Sequence, residues 1–222
     1  AGSAARLWEP AVVLAARLRV EAASLRGLRV LELGAGLGYV GLHAACAGAD
    51  VTLSDLAAAQ GILRRSLEAN LPAVSAAGGR AKAAVLDWSD CDGADWAGAF
   101  DLVIASDPVF DAATLAHFVG CLSRLLRADL LASGRPRAHA RVAHKHRPGV
   151  CCAEGLHGIR QAQRPGGCSF ATQLEAAGLS VRPAQWPDGA ARERASDPLA
   201  AHPFVSVLHV SATWPLEDKW LG

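Results

Sequence analysis

The segment "VLELGAGLGYVGL", Val30 to Leu42, reads as a β-strand that runs into a glycine turn and then a helix. Two glycine spellings overlap in it. Gly34, Gly36 and Gly38 spell G-x-G-x-G, and Gly36, Gly38 and Gly41 spell the dinucleotide form G-x-G-x-x-G. Such a turn seats a nucleotide by letting the ligand approach the backbone and by aiming free helix N–H groups at it. The turn alone leaves three readings: a nicotinamide or flavin dinucleotide, S-adenosylmethionine, or a tight turn with no ligand.

Outward from this segment the chain alternates strand and helix almost from end to end. Pro10 to Leu25 is a predicted helix, with Pro10 tolerated in its first turn and Leu14 and Leu18 on one face. "RVLEL" is the first strand and Tyr39 to Ala47 the next helix. "DVTLSD" (50–55) is the second strand, followed by a helix over Ala57 to Asn70. "KAAVLD" (82–87) is a third strand weakened by alanine, and "FDLVIASD" (100–107) is an apolar run suited to the middle of a parallel sheet. Leu115, Phe118, Val119, Leu122 and Leu126 then recur at helical spacing, and "ARVAHK" (140–145) is the fifth strand. Residues 148–167 are expected to form a loop, and Ser169 to cap a helix that runs to Gly178. "LSVRPAQW" and "FVSVLHVSATW" follow with no helix between them and are expected to pair antiparallel. The pattern implies a single α/β domain, residues 1–222. Its core is a doubly wound, mostly parallel, Rossmann-like sheet of seven strands, closed by an antiparallel pair.

The whole chain agrees with that frame. Its 222 residues suit one domain, and its formal charge of +1 gives no reason to expect nucleic acid or an acidic membrane as partner. No apolar run is long enough to cross a bilayer, and no secretory signal is read at the start. The chain lacks methionine even at position 1, which leaves a trimmed gene product with a missing N-terminal segment open. Six scattered cysteines without C-x-x-C spacing suggest a reduced, intracellular setting.

In doubly wound sheets ligands bind beyond the carboxyl ends of the strands, so the residues there carry the reading. Strand one ends in Gly34-Ala35-Gly36. Strand two ends in Asp55, about twenty residues after the first glycine, where an acid binds both ribose hydroxyls or else caps the next helix. Strand three ends in Asp87-Trp88, a carboxylate for an adenine amino group and an indole to cover the ring, or equally a surface acid and a half-buried tryptophan. These features imply adenosine. Glu32 stands mid-strand between Leu31 and Leu33, where an unpaired carboxylate costs several kcal/mol. Either an internal network or a cationic, amine-bearing ligand must satisfy it. A short-chain dehydrogenase needs Tyr-x-x-x-Lys, but the one tyrosine, Tyr39, is followed four residues on by His43. No chain remains for a second catalytic domain. S-adenosylmethionine is the expected cofactor.

With these residues in hand, the chain resembles the seven-β-strand methyltransferases of the protein-lysine type, sometimes called family sixteen methyltransferases. The resemblance runs from "LWEPAVVLA", similar to a Trp-x-x-Ala-x-x-Leu opening, through "VLELGAGLGYVGL", "VTLSD", "LDW" and "FDLVIASDPVF" to "VAHKHR". The glycine motif is shared by all methyltransferases of this fold, whereas the tryptophan opening with an Asp-x-x-aromatic segment is narrower. The resemblance implies that Trp8, within an N-terminal helical segment over residues 1–26, packs by the cofactor. It implies that Gly34, Ala35 and Gly36 pass beneath the methionine part, that Gly38 belongs to the cofactor-binding turn, and that Asp55 holds the ribose. Asp87 and Trp88 would flank the adenine, and Ser106 would line the pocket floor. Asp107 and Phe110 would face the incoming amine, with Phe110 standing where the family usually has Tyr. The implied activity is methylation of a protein lysine. Protein arginine or a small amine is the alternative substrate, and a non-catalytic S-adenosylmethionine-binding scaffold the alternative role.

"HKHRPGVCC" groups two histidines with two cysteines, but His144 and His146 are expected on opposite faces and the adjacent Cys151 and Cys152 are awkward for joint tetrahedral ligation, so no metal is expected. Lys145, His146 and Arg147 read as a solvated strand end. A protein substrate bearing lysine is the expected partner, without nucleic acid or membrane. A monomer is favoured, and the expected location is cytoplasmic, with the nucleus open.

Overall fold

The computed structural model describes residues 3–92, 96, 98–108, 111–133, 138–147, 151, 169–184 and 205–213. Seven strands form one sheet in the order β3-β2-β1-β4-β5-β7-β6. They are β1 Arg29–Leu33, β2 Asp50–Asp55, β3 Arg80–Val85, β4 Leu102–Ser106, β5 His139–Lys145, β6 Leu179–Pro183 and β7 Val205–Ala212. The first five are parallel, and β7 runs antiparallel between β5 and β6. The doubly wound α/β sheet with an antiparallel close is therefore present. The chain builds outward from β1 to β3 and then returns to lay β4 on the other side of β1. That reversal is the switch point at which such sheets open a crevice.

The helices are α1 Glu9–Val20, α2 Ala22–Leu25, α3 Tyr39–Cys46, α4 Gln60–Ala76, α5 Ala112–Ser133 and α6 Ser169–Ala176. Alternation along β1 divides the core between them. Leu31 and Leu33 face Phe118 and Leu122 of α5 and Phe170 of α6. Val30 joins the opposite layer, with Leu14 and Leu18 of α1, Val40 of α3 and Leu63 of α4. By the same alternation Glu32 turns toward α3. The expected stripe Leu115, Phe118, Val119, Leu122 and Leu126 is buried as a set.

The departures have local causes. The single helix expected over residues 10–25 is broken at Glu21, whose ψ of 11° lies off the helical value. Its carboxylate instead takes the buried Arg17 at 2.6 Å and lies 4.0 Å from Arg141 of β5. Helix α4 runs past the expected end at Asn70 and through Pro72. Proline in a helix interior costs ~3 kcal/mol, but Pro72 is exposed and Val74 beyond it is buried on the same stripe as Leu63 and Leu67. Burying a valine contributes roughly 1.5–3 kcal/mol, which offsets much of that cost. Strand β3 starts two residues early because Arg80 pairs in register with Asp50 and forms an ion pair with it at 2.8 Å. Of the loop expected at 148–167, only Cys151 falls among the described residues.

Candidate functional site

The carboxyl ends of β1, β2 and β4 open into a cavity of about 460 Å³. Trp8, Glu32, Gly34, Ala35, Gly36, Asp55, Asp87, Trp88 and Ser106 all line it, as does Asp107. Residues distant in sequence are thus brought together as their strand-end positions implied. Gly38 is the exception: it is not among the lining residues; at φ +72° it turns the chain into α3, and a side chain there would meet Leu53 and Leu63. Phe110 lies outside the described residues.

Glu32 is 1% exposed. Its Oε2 accepts from the Gly41 N–H at 2.9 Å, while the buried Oε1 has no partner. Burial pushes this carboxyl up to about 8, against the pull of the Gly41 hydrogen bond, and the Asp55 charge adds to the rise. A Cβ at Gly41 would fall 2.5 Å from Oε2 and 2.3 Å from Leu53, so the third glycine of the dinucleotide spelling lets α3 close onto this carboxylate. That is an internal explanation for half of Glu32. The other half has no internal partner, and Glu32 lines the cavity.

Asp55 straps the turn: Oδ2 accepts from Gly36 N–H and Oδ1 from Leu56 N–H, both at 2.7 Å. It caps no helix, because the 3₁₀ turn Ala57–Ala59 has no side-chain cap. Each oxygen retains a lone pair for a further donor. Asp87 is exposed, as a surface acid would be. It lines the cavity and also caps the turn Trp88–Asp90 through Ser89, whose hydroxyl and N–H hold its carboxyl below the usual range. The Trp88 indole packs edge-on against Phe118, 5.1 Å between ring centres, and a side chain at Gly34 would strike it at 2.9 Å. The N-terminal segment covers the opposite wall: the Ala4 carbonyl would lie 3.1 Å from a Cβ at Gly36, and Arg6 stacks on Trp8 at 4.5 Å.

Asp107, expected to face the incoming amine, has φ +54°, and its carboxylate is clasped on both oxygens by Arg147, at 2.7 and 2.6 Å. A non-glycine residue in that region costs of order 1–3 kcal/mol, and the two-pronged ion pair helps to hold it. Asp107 does not cap α5; Asp111 does, accepting from the Thr114 N–H at 2.7 Å. Arg147 and the exposed Leu56, both lining the cavity, were missed by sequence reasoning. The parallel register of β4 and β5, Ser106 beside Ala143, was the available signal for Arg147.

The end of β5 is accordingly no solvated strand end. Lys145 pairs with Glu9 at 2.9 Å, His146 is buried, and Arg147 is engaged with Asp107. The two imidazoles, expected on opposite faces, lie 4.5 Å apart; residues two apart along a strand share a face, so alternation itself places them together.

Comparison with known proteins follows the same lines. Residues 1–144 match the lysine methyltransferase family, short of the nearly chain-long resemblance read from the motifs. The EEF1A lysine methyltransferase 3 of Mus musculus is 38% identical over 124 residues, covering 56% of this chain and 51% of that protein. The protein N-lysine methyltransferase METTL21A of Mus musculus is 38% identical over 126 residues, 56% of either chain. The chain thus spans about half the length of the curated relatives it matches. Among solved structures, magnesium protoporphyrin IX methyltransferase from Synechocystis with bound SAH superposes at a TM-score of 0.52. It is 17% identical and covers 91% of this chain and 82% of that one. The apo S-adenosylmethionine-dependent methyltransferase SibL gives a TM-score of 0.57 at 15% identity, covering 91% and 54%. At such identities the likeness speaks for the fold alone. The match over residues 1–144 places the assignment on firmer ground: the chain belongs to the lysine methyltransferase family.

Proposed function

We propose that the chain uses S-adenosylmethionine to methylate a lysine side chain of a protein substrate. The observation that carries this reading is the buried, unpartnered Oε1 of Glu32 beside the glycine turn. The ammonium of the cofactor's methionine part would satisfy it, and ionised Glu32 would then be paired. The remaining lining residues fit the rest of that cofactor. Asp55 keeps lone pairs for two ribose hydroxyls, and Leu56 and Trp88 offer apolar faces for the adenine. When bound, S-adenosylmethionine supplies an electrophilic methyl on a sulfonium, so no covalent enzyme intermediate is required.

The chain's own residues then align the amine and govern its protonation. Alignment contributes about 7–11 kcal/mol in favourable cases. Holding lysine neutral at pH 7 costs about 4–5 kcal/mol, from a pKa near 10.4 at about 1.36 kcal/mol per unit. A bare Asp107 would deepen that cost by favouring the ammonium. Paired with Arg147 it presents little net charge while a carboxylate lone pair can still orient the amine. We assign Asp107 this alignment, and Phe110 the aromatic wall on its sequence position alone. A reducing, cytoplasmic setting belongs to the same reading, supported by free thiols at Cys46, Cys91, Cys121 and Cys151.

Incubation with radiolabelled S-adenosylmethionine and cell extract, followed by mass spectrometry, tests the proposal. Label on lysine of a protein supports it. Label on arginine or a small amine would redirect it to the alternative substrates, and cofactor binding without transfer would leave a scaffold.

A further inference from the structure

Behind the Asp107–Arg147 pair, outside the cavity, three metal-binding side chains converge. His144 is in the last turn of the β5 ladder and His146 follows its end. Cys151 is carried back by its own backbone: its N–H donates to the Arg147 carbonyl at 3.1 Å, and its carbonyl accepts from the Ser169 N–H at the start of α6 at 3.0 Å. His144, His146 and Cys151 are 1%, 3% and 0% exposed. One ligand atom from each lies within 4.8 Å of the others.

His146 supplies a second, independent observation. One ring nitrogen, Nε2, lies 2.8 Å from the Ser206 hydroxyl, while Nδ1 is buried with no partner. Metal-ligating imidazoles divide their nitrogens in this way, one for the ion and the other held by a protein oxygen. The Cys151 sulfur accepts from the Arg147 N–H at 3.2 Å, an arrangement equally suited to a thiolate.

We propose that His144, His146 and Cys151 form a binding site for a borderline-soft divalent ion of the zinc class. Two imidazoles and a thiol with no carboxylate in the set disfavour magnesium and calcium, which take oxygen. With zinc–nitrogen distances of about 2.0–2.1 Å and zinc–sulfur of about 2.3 Å, tetrahedral ligands stand about 3.3–3.7 Å apart. The donors must therefore draw in by about 1 Å, at the end of a strand where ring rotation breaks no ladder hydrogen bond. Binding converts the Cys151 thiol to thiolate and releases its proton to solvent. The fourth position is left for water. The ion would tie the end of β5 to the segment entering α6 and hold the Arg147 backbone where its side chain clasps Asp107.

The test uses the full chain without an affinity tag, stripped with a chelator, kept reduced with a phosphine and titrated with Co²⁺. The expected result is one equivalent bound with a thiolate-to-cobalt charge-transfer band, displaced by Zn²⁺. Cys151→Ser should abolish the band and His146→Gln should weaken binding at least tenfold. Cys46→Ser, at an exposed thiol, should change neither. If Cys151→Ser does not fold, X-ray absorption at the zinc edge of the wild-type protein decides: one sulfur and two nitrogens support the site. A shell without sulfur, a titration without a charge-transfer band, or full binding by folded Cys151→Ser would overturn it.

Discussion

Glu32 ties the pocket to pH. Its carboxyl is raised by burial from 4.5 to about 8, so the folded protein keeps a proton that the unfolded chain releases. The stability it allows is complete below pH 4.5 and falls as pH rises toward about 8. We predict a falling melting temperature of the ligand-free protein across that window, and a flatter profile for Glu32→Gln. An unchanged profile would show that another group sets the slope. Asp55→Ala should cost S-adenosylhomocysteine affinity by about 2–4 kcal/mol, because two hydroxyls lose a charged acceptor and the turn loses its strap at Gly36. Wild-type affinity in the folded variant would remove Asp55 from the ribose site. For Asp107→Asn the ion pair with Arg147 means that stability and turnover must be read separately. Melting should fall, cofactor affinity should hold, and turnover per folded molecule should drop about tenfold or more, at least ~1.4 kcal/mol. Normal single-turnover methylation would make Asp107 a brace only.

The N-terminal cover can be separated from the helix it precedes. Ala4 and Trp8 border the cavity, whereas Val13, Leu14 and Leu18 hold α1 in the core. Deleting the residues before Pro10 should cut cofactor affinity and leave the sheet folded by circular dichroism; loss of the fold would make Trp8 a core residue instead. The elements also show what the sequence discloses. β1 and β2 were legible to the residue because both faces are buried and the apolar runs end sharply at Gly34 and Asp55. The end of α4 was not, because Pro72 announces a stop that the helix runs through, burying Val74 beyond it. Glu21, at the break in the first helix, lies 4.0 Å from Arg141, far along the chain, and the Asp107–Arg147 clasp joins residues forty positions apart. No local spacing reveals such pairs. At β5 the miss was of another kind: the period of two was misapplied, since His144 and His146, two residues apart, share a face.

At the scale of the whole molecule, most of the site was legible because topology places it. Parallel strands deliver their carboxyl ends to one edge, and the reversal between β1 and β4 opens that edge, so residues at strand ends converge without any local contact between them. Gly38 shows the limit of the rule: it belongs to the same motif but is not among the lining residues. The central claim is that this crevice is built for S-adenosylmethionine and not for a dinucleotide, although the glycine motif spells both. A ligand that binds only the native state raises stability by mass action. Calorimetric titration of the purified chain with S-adenosylhomocysteine and, separately, with NAD and NADP tests the claim most directly. One site for S-adenosylhomocysteine, with a raised melting temperature and no heat from either dinucleotide, is the predicted result; tighter binding of NAD or NADP would contradict it.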